Sequence, residues 1–270
     1  MHDNSVITTK SVLNAMMLQG RVLNALVLRE TKTRYGEHKL GFLWAFLEPI
    51  FWVMMIYIIF SVMGSQMGGD IHIAAFVITG IVPFIMFRGT MIQTQGAISQ
   101  NTSLLGFPQV TTYDLIIARA LLEVSVLLAV FVLMLLVAGI LGVDVRCENP
   151  LAVLAACGLF WVLGLGFGFI FASLSPIVPS TRQITSQLMG RPLLLTSGIF
   201  FTAESLPSDV RYYLLYNPVL HMVELTRSAY FYEFHSDYAS WRYASYFAFG
   251  TLAFGLVVHR AMRKRAIVGI

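Results

Sequence analysis

Thr33–Trp52 reads TRYGEHKLGFLWAFLEPIFW: a charged, water-compatible segment that turns apolar at Leu40. The apolar run continues to Met63, long enough to cross a bilayer, which takes about 20 residues as a helix. Glu48 and Pro49 interrupt it. A carboxylate is costly in lipid, and a proline lacks the N–H that would bond the carbonyl of Ala45 one turn earlier. At the rise of a helix starting near Phe42, Glu48 lies only about 9 Å inside, close to the interface. It could be a snorkelling acid beside a kink. The alternative, which we expect, is a hinge whose acid faces the protein interior and pairs with Arg88, Arg119 or Arg191, because intramembrane acids rarely face lipid.

Of the 270 residues, 57% are hydrophobic and only 12% charged, against about half and a quarter in soluble domains. Lipid is therefore the solvent. Six apolar windows are long enough to span, at roughly 42–63, 73–94, 115–142, 151–174, 186–206 and 240–260. No window alternates as a membrane β-strand does, and no internal repeat suggests an inverted-repeat transporter. With the N-terminus inside, 14 of the 18 Lys and Arg fall on the cytoplasmic side and its flanks. Only Arg146, Arg211, Arg227 and Arg242 lie outside. This bias puts both termini in the cytoplasm. The first 40 residues lack a compact apolar core followed by small residues, so no cleavable signal is expected and the first membrane helix directs insertion. The expected fold is an all-α membrane protein, a single domain over 1–270 with six transmembrane helices.

Three segments outside the windows carry their own pattern. Over 8–36, Lys10, Asn14, Arg21, Asn24 and Lys32 share one helical stripe, with Val12, Met16, Leu23, Leu26 and Val27 mostly opposite. That is an amphipathic interface helix. Over 206–234, Ser208 can cap a short helix with Asp209 in its first turn, and Asn217-Pro218 restarts a second. These read as two short re-entrant half-helices between the fifth and sixth spans, permitted only where protein or a water-filled cavity covers them. The loop 95–112 has no Lys or Arg, yet carries Leu104, Leu105 and Phe107. A solvated loop does not need such residues, whereas a helix docking into a partner does.

No chemistry-bearing motif occurs. Without a Gly-Lys pair there is no phosphate-binding P-loop, so any ATP is bound by another chain. Neither a nucleophile elbow nor a zinc helix is present. The six histidines sit in interfacial or loop segments, which argues against an intramembrane enzyme. Cys147 and Cys157 form no metal or redox motif, and no disulfide is expected. Arg88, Arg119 and Arg191, near cytoplasmic helix ends, either line a path for an anionic substrate or snorkel to lipid phosphates. Trp44, Phe46, Trp52, Tyr57 and Trp161 are candidates for stacking on sugars, although an aromatic belt accounts for Trp44 and Trp52 equally well. Gly164, Gly168 and Ala172, with Gly166 between them, make a small-residue ridge for close helix packing, more readily inside the chain than between subunits. His221, Glu224 and Arg227 share a helix face. They either stabilise the half-helix through a Glu–Arg pair or line an outer gate.

QGRVLNALVLRETKTRYGEHKLGFLWAFLEPI (19–50), SLL (103–105) and LPSDVRYYLLYNPVLHMVELTR (206–227) resemble, in order, the membrane subunit of type 2 ABC exporters. The FLWAFLEP run is most similar to the capsular polysaccharide exporters of Gram-negative bacteria; O-antigen and teichoic-acid permeases share LG-x-LW and NP-x-x-H-x-x-E. The resemblance implies a homodimeric pore in the bacterial inner membrane and two separate ABC ATPase subunits below it, which carry ATP and Mg. Ser99, Asn101, Leu104, Leu105 and Phe107 would form the ATPase coupling element, and the half-helices would close the outer end. The implied cargo is a glycolipid-linked, acidic polysaccharide, passed on to a periplasmic adaptor and an outer-membrane export protein. Membrane lipids are the other expected partners and nucleic acid is not among them. This chain would bind no cofactor or metal. The substrate path would draw on Trp44, Glu48, Trp52, Tyr57, Arg88, Arg119, Trp161 and Arg191. In a different class stands a self-contained secondary transporter or channel, against which the sparse intramembrane acids Glu48 and Glu123 argue.

Overall fold

The computed structural model describes residues 9–36, 41–62, 71–178 and 180–268. Among these residues the chain forms ten α-helices and no strand: α1 (Thr9–Tyr35), α2 (Gly41–Val62), α3 (Ile73–Gln95), α4 (Thr112–Ile140), α5 (Pro150–Leu174), α6 (Thr181–Leu188), α7 (Arg191–Thr196), α8 (Ser208–Leu214), α9 (Pro218–Tyr230) and α10 (Trp241–Val268). A 3-10 turn, Thr102–Gly106, lies between α3 and α4. Helices α3, α4 and α5 are each long and apolar enough to cross a membrane, and α2 carries a shorter apolar stretch, Phe46–Val62.

Local chemistry explains the helix starts. Thr111 and Asp114 form a reciprocal capping box at α4, satisfying two N–H groups that the first turn leaves free. Asn149 and Asn217 cap α5 and α9, each followed by a proline at the first helical position. Ser208 does not act as the expected cap. It is the first helical residue of α8, and its hydroxyl donates to Asp209.

The expected windows at 42–63, 73–94, 115–142, 151–174 and 240–260 coincide with α2, α3, α4, α5 and α10. The window 186–206 does not become one helix. It breaks into the end of α6, the short α7 and a non-helical stretch from Ser197. Gly190 takes a non-helical conformation (φ −87°, ψ −85°), and Pro192 follows without an N–H to continue the ladder. Gly198 then turns with φ +74°, a conformation that favours glycine.

Helix α5 is the axis of the bundle, and its glycines set the spacing. A Cβ at Gly164 would sit 2.6 Å from the carbonyl oxygen of Phe87 on α3, and one at Gly168 would collide with Thr94. On another face, a Cβ at Gly166 would lie 2.7 Å from the backbone nitrogen of Leu252 on α10. The ridge thus packs helices within one chain, two faces of α5 seating α3 and α10. One large core joins α2, α3, α4, α5, α9 and α10 around Phe76, Phe87 and Phe160. A second core joins α1, the loop after α3, α4 and α5 around Leu26, Ile98 and Phe169. Part of the expected apolar stripe of α1 packs: Leu26 is buried and Leu23 and Val27 lie against the second core, whereas Met16 is exposed and the side chain of Val12 lies outside the described residues.

Gly166→Val forces apart two backbones and should destabilise the folded chain by about 1–3 kcal/mol. Gly158, whose Cβ would meet nothing within 4 Å, should accept alanine with no loss. Thermal midpoints of the detergent-purified variants check this; equal midpoints for the two would contradict the packing described.

Candidate functional site

At one end of the bundle α1 is clamped to α4 by charge. Arg34 Nη1 meets Glu123 Oε2 at 2.7 Å, and Arg119 Nε meets Glu30 Oε1 at 2.7 Å. Gln19 donates to Asp114, the capping residue of α4. Burial alone would lower the Arg34 pKa, but the Glu123 carboxylate raises it above the usual arginine value. Arg29 on α1 donates to Asn101 Oδ1 at 2.8 Å, holding the segment between α3 and α4. The same segment is held from α6, where Arg182 donates to Ser99 through Nη2 and to Ser175 Oγ at 3.1 Å through Nε.

Within this segment Leu104 and Leu105 are half-buried and pack on the second core. That packing takes up part of the surface that the sequence pattern assigned to a docking partner. Phe107 is the apolar residue that stands out, 58% exposed.

At the opposite end the broken fifth window exposes backbone carbonyls inside the protein, and Arg227 answers them. Its side chain is fully buried. Nη1 donates to Gly198 O (2.6 Å) and Phe201 O (3.3 Å), and Nη2 to Ile199 O (3.0 Å) and Phe76 O (3.5 Å). The guanidinium carbon lies 3.5 Å from the centre of the Phe76 ring. Glu224 accepts from the Ala203 N–H at 3.1 Å. His221 Nδ1 accepts from Ser240 N–H at 3.2 Å, so its Nε2 carries the proton that bonds Leu215 O at 2.8 Å. The three residues do share a face of α9, but no Glu224–Arg227 ion pair forms among the described residues. Both side chains are committed to non-helical backbone, and all three are buried rather than lining an open gate.

A family model described as ABC-2 type transporter matches residues 21–231. The chain belongs to the ABC-2 type transporter family. It is 34% identical to the polysialic acid transport protein KpsM of Escherichia coli over 247 residues, covering 92% of this chain and 95% of that one. It is 31% identical to the capsule polysaccharide export inner-membrane protein CtrC of Neisseria meningitidis, covering 82% and 83%. It is 30% identical to the capsule polysaccharide export inner-membrane protein BexB of Haemophilus influenzae, covering 93% and 94%.

In this ABC-2 type chain the expected substrate-path residues do not converge. Glu48 is exposed and makes no ion pair among the described residues; Arg119 is taken by Glu30 and Arg191 is exposed. Arg88 is half-buried, near Gly190 at the break before α7, and its Nε is without a hydrogen-bond partner. Trp161 donates to Ala120 O at 3.0 Å and packs between the two cores. Trp52 is half-buried against the large core and Tyr57 stacks on His72. The side chain of Trp44 lies outside the described residues. His259, expected at an interface, is fully buried between Ser173 Oγ (2.7 Å) and Thr112 Oγ1 (2.8 Å). Ser173 gives its own proton to Phe169 O, so the pair is a helix tie, not an activated nucleophile. Glu30, Arg34 and Arg182 carry cross-helix contacts that no motif marked; only the Glu30–Arg34 spacing of four hinted that α1 bears a charged face.

Arg227→Met leaves buried carbonyls without donors and should cost about 3 kcal/mol or more. Arg227→Lys, which cannot span the carbonyl cage, should fall between; thermal unfolding in detergent reads both. At the other end, Arg34→Glu combined with Glu123→Arg should recover stability lost by either single change. A double-mutant cycle giving less than about 0.5 kcal/mol of coupling would mean the clamp is idle.

Proposed function

We propose that this chain is the channel-forming subunit of an ATP-driven exporter that moves capsular polysaccharide across the bacterial inner membrane. The observation that carries this reading is likeness along nearly the whole chain to proteins named for capsule polysaccharide or polysialic acid transport. The chain holds no Gly-Lys pair and hence no P-loop, so ATP and Mg belong to separate ATPase subunits, two of which serve a homodimer of this chain. The cargo is a glycolipid-linked, acidic polymer, and a periplasmic adaptor and an outer-membrane protein receive it. Both termini face the cytoplasm, as the Lys and Arg distribution favours.

On this reading residues 95–112 form the coupling element. Phe107 is its apolar contact with the ATPase, while Leu104 and Leu105 hold the element to α1. On the six-span plan the fifth crossing is made by α6, α7 and the non-helical stretch together. Helices α8 and α9 form the outer half-helices, α9 being buried enough in protein to sit at membrane depth. Arg88, Arg191, Glu48, Trp52 and Tyr57 are the remaining candidates for the cargo's path. Arg119 and Trp161 support it from behind.

Deleting the gene from an encapsulated host should leave polymer inside the cell, and the wild-type chain should restore surface capsule. Phe107→Asp should abolish copurification of the ATPase, since an apolar groove would have to desolvate a carboxylate without a partner. Polymer movement in vesicles driven by an ion gradient, with no ATPase present, would overturn the reading in favour of a secondary transporter.

A further inference from the structure

We propose that a polar cleft between α3, α4 and α6 binds an anionic group, a phosphate or a sugar carboxylate, and that Arg182 signals its occupancy to the segment at Ser99. The cleft has a volume of about 220 Å³, and its polar lining includes Gln93, Gln95, Gln100, Arg119, Arg182 and Ser186, with no carboxylate among the described lining residues. Arg119 has its charge matched by Glu30. Arg182 does not: its hydrogen bonds go to the neutral hydroxyls of Ser175 and Ser99. A guanidinium has five N–H donors in a planar fork, so most of the fork remains for a ligand. Gly96 keeps the wall thin, since a Cβ there would lie 2.7 Å from Gln100 Nε2 and 3.3 Å from Arg119 Nη1. Donors and positive charge in a small cleft without acids are the complement of an oxyanion.

The second half of the proposal follows from competition. A charge-assisted, bidentate bond to phosphate or carboxylate is about twice as strong as a bond to a neutral hydroxyl. An anion that turns the guanidinium toward itself to complete a bidentate bond therefore loosens the weaker Nη2 bond of Arg182 to Ser99. Ser99 lies two residues before Asn101, which α1 holds through Arg29. Occupancy thus releases one of the two arginine tethers on this segment. Only the consequence for ATP hydrolysis rests on the exporter reading; binding does not.

The test begins with the full-length chain in nanodiscs of phosphatidylcholine alone, titrated calorimetrically with glycerol 3-phosphate and with glucuronate. Saturable binding of at least one is expected. Arg182→Gln should weaken it about tenfold or more, the value of a lost charge-assisted bond, and Arg182→Lys less. Gln100→Glu, an exposed change at the rim, should weaken it by repulsion while the thermal midpoint stays put. No binding of either probe, or equal binding by wild type, Arg182→Gln and Gln100→Glu, overturns the site. Adding phosphatidylglycerol separates the sources: loss of probe binding marks a bilayer headgroup as the occupant, and unchanged binding marks a group arriving from the aqueous side. Both support the cleft. With the ATPase bound, the probe should change the hydrolysis rate of wild type and not of Ser99→Ala; a wild-type rate indifferent to a bound probe overturns the signalling role. A chain that binds the probe but never retains an ATPase would sink the exporter reading and leave the cleft standing.

Discussion

The constraint on which the α9 end of this molecule depends is that lipid offers no hydrogen bonds to backbone. Where the fifth apolar window stops being a helix, the carbonyls of Gly198, Ile199 and Phe201 need donors from within the protein. Arg227 supplies them from α9 and reaches across to Phe76 on α3. Glu224 meets the N–H of Ala203 from the same helix. The fold can break its fifth apolar window because α9 lies beside the break, and α9 must lie there because the break exists. Gly80 on α3 leaves room for the guanidinium, since a Cβ would approach Nη2 to 2.7 Å.

The opposite end is organised by a different balance. Helix α1 carries apolar and charged positions on the same side, so that Leu26 and its neighbours bury against α4 while Glu30 and Arg34 find opposite charges there. Such half-buried pairs gain more from fixing register than from Coulomb energy. The segment between α3 and α4 is then tethered from both flanks by Arg29 and Arg182. These tethers, single hydrogen bonds to Asn101 and Ser99, add to the packing of Ile98, Leu104 and Leu105 in and against the second core.

Much of the architecture was readable in advance. Four apolar windows became α2 to α5, the first despite Glu48 and Pro49, because each buries its backbone bonds in its own helix and needs no partner to be identified. The glycine ridge, the Asn-Pro start of α9 and the apolar stripe of α1 were equally plain. The fifth window misled: by share of apolar residues it is the least apolar of the six, carrying Arg191 and Glu204, and Gly190, Pro192 and Gly198 act on geometry rather than hydropathy. The grouping of His221, Glu224 and Arg227 on one face was also legible. Their tasks were not, because carbonyl acceptors leave no mark in sequence.

Glu48 and Pro49 show the division clearly. Sequence identified the acid as anomalous, but of its expected arginine partners Arg119 pairs with Glu30, Arg191 is exposed and Arg88 lies half-buried near Gly190. The sequence by itself determined that this chain lives in a membrane, where its helices lie and which family it belongs to, since these follow from apolar length, capping residues and shared motifs. Only the tertiary structure decided which charges meet. Ion pairs such as Arg34–Glu123 join residues 89 positions apart, and no local pattern encodes a partner that the fold alone brings near.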